Sequence, residues 1–216
     1  MSPGLRERKR EQTRRHLTQV AMALFVERGF DAVTVAEVAE AAEVAVNTVY
    51  NHFPAKEDLV LPPREASPRR LAAIVAARPA GVSAARAVLD HLREEVRRRE
   101  PAVGLSEGFA PVFLMMRAAP TLTARLEELG RQMSAELAAE LEREHPADPL
   151  GARIAAWQLG ALHALVYTEI GARVAAGQPP ERIAAGVLAL LEAAERTLGG
   201  PLLGYAVRKD DPSCSV

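Results

Sequence analysis

The sequence predicts an all-α protein with a small N-terminal domain and a larger helical bundle behind it. Apolar residues recur at helical spacing along most of the chain, whereas the alternating β-branched and aromatic residues typical of strands are scarce. Proline and glycine punctuate the chain at intervals that fit helix lengths. Three prolines also crowd positions 62–68, where they must break or kink the chain, so we expect a domain junction at about 61–68.

The composition limits the class of protein. The 216 residues are enough for one small and one larger domain. Hydrophobic residues make up 49% of the chain and charged residues 25%, which is the balance of a folded chain rather than a disordered one. No apolar run approaches the roughly 18 residues that span a bilayer, and we find no signal-peptide cleavage site. Cys214 is the only cysteine. An internal disulfide is thereby excluded, and we expect a cytoplasmic protein.

The first helix is predicted over residues 6–28, with Gly29 as its C-terminal stop. One face of this helix carries an apolar stripe of Leu17, Val20, Ala21, Leu24 and Phe25. Its beginning is basic, because residues 5–15 hold six Lys or Arg against two Glu, in a chain of net charge −1. Such a local basic arm indicates either an anionic partner or a solvated helix start.

Three further short helices are predicted next. Thr34 opens the first of them, with Glu37 completing a capping box. A second covers residues 45–51, and a third is expected to begin at Pro54. The residues that can pack these helices together are Leu24, Val35, Val38, Val44, Val49 and Phe53. Short helices at this spacing predict a helix-turn-helix DNA-binding domain over residues 1–60.

The outward face of the predicted recognition helix has the residue types that read DNA. It presents Val46, Asn47, Thr48, Tyr50 and Asn51. Asparagine can bond an adenine edge, threonine a base or phosphate, and valine a thymine methyl group. His52 and Lys56 follow, where we expect contacts with backbone phosphate. The alternative is a small helical bundle with a polar surface helix.

The stretch Thr34–Val44 and the following Ala45–Leu59 closely resemble the tetracycline-repressor (TetR) family. The most specific part is the Thr-x-Tyr-x-His-Phe-x-x-Lys-Glu-x-Leu pattern that begins at Thr48, and the clear resemblance covers residues 10–60. It implies a homodimeric transcriptional regulator, usually a repressor, whose C-terminal domain binds a small molecule that weakens DNA binding. It places Asn47 and Thr48 at the bases, and implies phosphate contacts by Thr34, Tyr50, His52 and Lys56.

Two residues depart from the pattern of the family. Glu43 takes a turn position often occupied by Gly, and a positive φ there would cost strain. Ala45 replaces the Ser or Thr that often caps the recognition helix, so a cap worth roughly 1 kcal/mol is missing.

The remainder of the chain is predicted as a helical ligand-binding and dimerisation domain over residues 61–198, followed by a flexible tail over 199–216. The candidate helices cover residues 68–78, 83–99, 105–118, 120–144, 148–177 and 180–198.

Two stripes on the last two predicted helices could form a two-fold, four-helix interface, or could face the core of the protomer itself. One consists of Ala152, Ala156, Gly160 and Ala164. The other consists of Ile183, Val187, Leu190, Leu191, Ala194 and Leu198.

Scarce aromatic and sulfur side chains cluster in two places, and these clusters either line an apolar effector cavity or pack a core. The candidate effector residues are Phe109, Phe113, Met116, Trp157, His163 and Tyr167, with Met115 beside them.

The sequence does not favour an enzyme. The five histidines lack metal-ligand spacing, and neither a glycine-rich phosphate loop nor a nucleophile elbow is present. We therefore predict no catalytic site, metal or cofactor. The leading hypothesis is a dimeric repressor that binds a palindrome-like operator in double-stranded DNA and is released by a small hydrophobic effector. The alternative is a helix-turn-helix regulator whose C-terminal domain binds a partner protein.

Overall fold

The computed structural model describes residues 3–61, 66–100, 104–105 and 108–209, and within these ranges all regular structure is helical. The α-helices are α1 (Pro3–Arg28), α2 (Val35–Ala41), α3 (Val46–His52), α4 (Arg70–Ala76), α5 (Ala84–Arg98), α6 (Phe109–Ala118), α7 (Pro120–Glu144), α8 (Pro149–Ala175) and α9 (Pro180–Leu203). A single 3₁₀ turn, Lys56–Leu59, lies between α3 and α4. No helix in the described part of the chain is long and apolar enough to cross a membrane.

The chain divides into two compact units. The N-terminal unit consists of Met1–Pro63 and Ala110–Leu126, and the C-terminal unit consists of Arg64–Phe109 and Glu127–Val216. The first boundary lies three residues beyond the predicted end of the first domain at residue 60. The inclusion of Ala110–Leu126 in the N-terminal unit was not anticipated by the sequence analysis.

The core of the N-terminal unit explains why that second segment belongs to it. Its buried members are Leu17, Ala21, Phe25, Phe30, Val33, Val38, Ala39, Ala42, Val49, Phe53, Leu59, Met115, Ala119 and Leu122. The first eleven come from the predicted helix-turn-helix domain, and the last three come from α6, α7 and the residue that joins them. A unit this small buries little apolar surface by itself, so these three side chains complete its core.

The ends of the early helices follow local sequence signals, with one correction. Gly29 has φ +86° and its N–H donates to the Phe25 carbonyl at 2.9 Å, which confirms the predicted stop of α1. The fourth helix, expected from Pro54, is only the 3₁₀ turn. Asp58 accepts a hydrogen bond from the Ala55 N–H at 3.0 Å and closes this turn. The two prolines at positions 62 and 63 cannot donate the N–H groups that a longer helix would need.

The end of the chain corrects the prediction of a flexible tail from residue 199. Helix α9 continues to Leu203 through a kink at Gly199, where φ is +72°. Leu202 and Ala206 are buried, and Arg208 exchanges backbone hydrogen bonds with the segment at Gly81 and Val82. Residues 210–216, which include the cysteine, lie outside the described residues.

Arg78 connects that end to the rest of the C-terminal unit. Its side chain is fully buried and donates to the carbonyls of Val75, Val82 and Ala206, and to both carboxylate oxygens of Glu144. A buried guanidinium is stable only when its donors are matched in this way.

The small-residue stripe on α8 packs inside its own unit over its first part, whereas Ala164 at its end is exposed. Ala152 and Ala156 are buried, and a Cβ atom added at Gly160 would lie 2.2 Å from Ser134 Oγ on α7. The apolar band on α9 is likewise buried at Ile183, Val187 and Leu191. These buried members pack within the protomer, whereas Leu190, Ala194 and Leu198 are half-buried, so a two-fold interface that uses the less buried positions stays a prediction.

We expect Met115→Ala to destabilise the N-terminal unit by about 2–5 kcal/mol, because it removes a buried side chain from that core. Leu114→Ala on the same helix is the control, since Leu114 is 56% exposed and should change stability by less than about 0.5 kcal/mol. Urea unfolding curves measure both changes. Equal effects of the two substitutions would contradict the assignment of α6 to this core.

Candidate nucleic-acid interface

The predicted capping box at the start of α2 is confirmed. The Thr34 hydroxyl accepts from the Glu37 N–H at 3.2 Å, and the Glu37 carboxylate accepts from the Thr34 N–H at 2.7 Å. Arg28 donates to the same carboxylate at 2.6 Å. The hydrogen bond from the Thr34 backbone, followed by that from Arg28, lowers the pKa of Glu37 to about 2. Glu37 therefore stays ionised, and α2 begins at a fixed point.

The turn between α2 and α3 is a Schellman motif. The Val44 N–H donates to the Ala39 carbonyl at 2.9 Å, and the Glu43 N–H donates to the Glu40 carbonyl at 3.0 Å. This pattern requires a left-handed residue at position 43, and Glu43 has φ +55°. The strain expected for a non-glycine residue at this turn is therefore present.

The start of α3 lacks a side-chain cap. Ala45 occupies the N-cap with extended backbone angles and makes no side-chain hydrogen bond there. The missing cap noted in the sequence is confirmed, so α3 depends on packing and on its C-terminal end for its stability.

Packing orients α3 as the sequence predicts. Val49 and Phe53 are 1% and 2% exposed, and Val44 packs partly against the same core. The opposite side presents Val46, Asn47, Tyr50 and Asn51 to solvent, with Thr48 half-buried beside them. Asn47 and Asn51 lie one helical turn apart, so their amides can reach neighbouring base edges.

Arg14 on α1 holds the C-terminal end of α3. Its Nη1 donates to the His52 carbonyl at 2.8 Å, and its guanidinium lies 4.3 Å from the centroid of the Phe53 ring. A cation at a helix C-terminus satisfies a free carbonyl and complements the helix dipole. The sequence analysis counted Arg14 only as part of the basic arm, because nothing local links it to a residue 38 positions later.

His52 is half-buried, and the charges of two cations of α1 act on it. Burial, then the charges of Arg10 and Arg14, lower the pKa of His52 below its ordinary value. The imidazole is therefore neutral at physiological pH and can offer a hydrogen bond to phosphate, but no charge.

Lys56 is held by its own unit. Its Nζ donates to the Phe30 carbonyl at 2.5 Å and lies 4.2 Å from the centroid of the Phe30 ring. Burial lowers the pKa of Lys56. One of the three ammonium donors is thus used within the fold, which the sequence analysis did not anticipate when it predicted a phosphate contact here.

The freely exposed cations lie earlier, on the first turns of α1. Residues 4–12 are all exposed and include Arg6, Arg8, Lys9 and Arg10. Arg15 is also exposed, but Glu11 lies 3.4 Å from it and offsets its charge. The interface therefore combines a fixed polar helix with a separate basic surface on α1.

Comparison with known proteins agrees with this geometry. A family model described as bacterial regulatory proteins, tetR family, matches residues 17–61, which span the core of α1 through the 3₁₀ turn. The N-terminal part of this chain, up to the 3₁₀ turn, is thus similar to the tetR family. The predicted fold class, all-α with an N-terminal helix-turn-helix, is confirmed.

Two relatives of this chain are named as HTH-type transcriptional regulators. TcmR of Streptomyces glaucescens is 39% identical over 99 residues, which cover 43% of this chain and 44% of TcmR. LuxR of Vibrio harveyi is 43% identical over 47 residues, which cover 22% of this chain and 23% of LuxR. The matched part of the chain thus spans less than half of either relative.

One solved structure extends the likeness of fold beyond that domain. Native NalD, described as the secondary repressor of the MexAB-OprM multidrug efflux pump in Pseudomonas aeruginosa, superposes with a TM-score of 0.52. The alignment covers 85% of this chain and 97% of NalD at 20% sequence identity.

The six predicted effector residues are divided between the units. Phe113 and Met116 belong to the N-terminal unit, where Met116 packs against the helix-turn-helix core. The other four belong to the C-terminal unit: Phe109, Trp157, His163 and Tyr167. Trp157 is 70% exposed, which does not fit the prediction that its indole lines a cavity in that unit. His163 and Tyr167 do lie together, with ring centroids 4.7 Å apart.

Replacing Glu43 with Gly should raise the free energy of unfolding by about 0.5–1 kcal/mol. Glycine adopts positive φ without strain, and its greater freedom in the unfolded chain offsets part of the gain. Glu43→Gln is the matched control, since it removes the charge and keeps the strained backbone. Urea unfolding gives the free energy of unfolding of both variants. If Glu43→Gln gains as much stability as Glu43→Gly, the gain comes from the loss of the charge and not from relief of the strained backbone.

Proposed function

We propose that this chain is a DNA-binding transcriptional repressor that acts in the cytoplasm and reads its operator with α3. The observation that carries the proposal is the exposed polar side of α3, presented by a helix whose orientation is fixed by buried Val49 and Phe53 and by Arg14. A seven-residue helix held this firmly has the dimensions and side chains of a major-groove reader.

The residues of the interface have two kinds of role in this proposal. Asn47, Thr48 and Asn51 contact base edges, and Val46 contacts a thymine methyl group. The phosphate contacts come from Thr34, Tyr50, His52 and Lys56, together with the exposed cations of α1. Phosphate contacts fix the position of the protein on DNA, and base contacts select the sequence.

Asn47→Ala should weaken binding to the specific operator by about 1–3 kcal/mol and leave binding to scrambled DNA nearly unchanged. Arg8→Ala is the control. It removes an exposed cation of α1, so it should weaken binding to both DNAs equally and reduce the slope of log affinity against log salt concentration by about one unit. Fluorescence anisotropy across salt concentrations measures both variants. Equal losses on both DNAs for Asn47→Ala would contradict a base-reading α3.

We further propose that the regulator is a homodimer on a palindrome-like operator, because one short helix contacts too few base pairs for a specific site. The surface that supports self-association is the outer side of α8, which differs from the stripe that the sequence suggested. Its apolar members are exposed by 49–70% and recur at helical spacing: Leu150, Ile154, Trp157 and Leu165. An apolar stripe of this length on a helix surface marks an interaction site.

Ile154→Glu should convert the dimer to a monomer at micromolar concentration, since it places a charge within that stripe. Ala139→Glu, at an exposed position of α7, is the control and should leave the dimer intact. Light scattering gives the oligomeric state, and the emission of Trp157 should shift to longer wavelength in the monomer. A dimer that tolerates Ile154→Glu would place the interface elsewhere.

The effector in this proposal is a small hydrophobic molecule that binds the C-terminal unit and weakens operator binding. Coupling between two such sites is typically about 1–3 kcal/mol and is reciprocal, so operator DNA weakens effector binding by the same factor. The alternative is a partner protein that binds the C-terminal unit. Small molecules that co-purify with the regulator and reduce its operator affinity would favour the first mechanism over the second.

A further inference from the structure

A polar cluster lies within the C-terminal unit, on three of its helices. It consists of Arg70 on α4, His91 and Glu95 on α5, and His163 and Tyr167 on α8. Arg70 is only 7% exposed, and its Nη2 donates to both oxygens of Glu95 at 2.7 and 2.6 Å. This ion pair uses one edge of the guanidinium and leaves the Nε edge for another partner.

Two polar atoms of this cluster are buried without a hydrogen bond. Arg70 Nε and His163 Nε2 have no partner among the described residues. Buried polar atoms are rarely left in this state, because each unmatched donor or acceptor is costly to desolvate. Each of the two atoms therefore indicates a hydrogen-bonding partner other than the described side chains.

The charge of the cluster decides what kind of partner fits. Burial alone would raise the pKa of Glu95, but hydrogen bonds from His91 and Arg70 hold it below its ordinary value, so the carboxylate balances Arg70. Burial, then the charge of Arg70, lowers the pKa of His163 to about 4, so this imidazole is neutral at pH 7. His91 is half exposed, and water screens it. An anionic ligand buried here would thus find no cation left to neutralise it. A ligand with a neutral oxygen atom needs no such cation.

The surrounding sequence adds a second property. The buried side chains of α8 within about one turn of His163 are all apolar: Leu159, Leu162 and Val166. A molecule that binds at His163 therefore finds one hydrogen-bonding group, the imidazole, on a mainly apolar helix.

We propose that Arg70 Nε and His163 Nε2 donate to the neutral carbonyl oxygen of a largely apolar small molecule, such as a ketone or quinone. The inference rests on the proposed function, because it names the chemistry of the effector for the C-terminal unit. In it, Arg70 is oriented by Glu95, and His163 is oriented by the ring of Tyr167, 4.7 Å away.

Three probes of nearly equal size separate the possible ligand classes. Acetophenone carries a neutral carbonyl, ethylbenzene lacks an acceptor, and benzoate carries an anion. We expect acetophenone to bind about tenfold more tightly than ethylbenzene, as one additional hydrogen bond allows, and benzoate to bind most weakly. The ¹⁵N signals of the His163 imidazole should shift with acetophenone, and calorimetry gives the affinities.

Two variants test the role of His163. His163→Phe should reduce the preference for acetophenone over ethylbenzene to about one, because it keeps the ring and removes the donor. His163→Gln supplies an amide donor and should keep part of the preference. Circular dichroism and operator binding confirm that each variant is folded.

Several results would overturn the proposal. Benzoate binding more tightly than acetophenone would contradict the charge argument. An unchanged preference in His163→Phe would remove His163 from the site. His163 signals that respond to none of the probes would mean that bound water satisfies the two atoms.

Operator affinity of the wild type, measured with and without acetophenone, separates this inference from the proposed function. A probe that shifts His163 and leaves operator affinity unchanged supports the site and contradicts effector release. If the wild type binds no DNA, the proposed repressor function is contradicted. The His163 measurements then still test the ligand site by themselves.

Discussion

The DNA-reading part of this protein depends on the anchoring of α3 at its C-terminal end. A helix of seven residues is too short to be stable alone, so its orientation comes entirely from tertiary contacts. Arg14 supplies the directional contact by donating to the His52 carbonyl, and Phe53 lies between this guanidinium and the core. Because Arg14 and Phe53 fix α3, the side chains of α3 that face solvent are also held in place.

This anchoring also explains how the unit tolerates two unfavourable local features. Glu43 adopts a left-handed conformation, and Ala45 leaves the start of α3 without a cap. The capping box at Thr34 and the Schellman bonds around the turn still fix α2 and the entry to α3. The packed core, completed by Met115 and Leu122 from later in the chain, then supplies the stability that the local sequence lacks.

The sequence predicted the features that arise within a few residues of each other. The capping box, the stop at Gly29, the strained turn and the inward side of α3 all depend on spacings of one to five residues. It could not predict that Met115 completes a core formed by residues 17–59, or that the Phe30 carbonyl accepts from Lys56, because these contacts are distant in sequence. The stripe on α8 is buried at Ala152 and Ala156 but exposed at Ala164, which the sequence could not show, because periodicity shows that a helix has two sides but not which residues its neighbours cover.

The buried guanidinium of Arg78 has a consequence for how mutations in the segment after α9 act. Segments outside regular helices usually tolerate change, because few contacts hold them. Here the Ala206 carbonyl accepts from Arg78, and Arg208 bonds to the backbone at Gly81 and Val82. Removal of residues 206–208 would therefore take one acceptor from a buried guanidinium that Glu144 still balances and would break the backbone pairing with Gly81 and Val82, so its effect would be that of a folding defect.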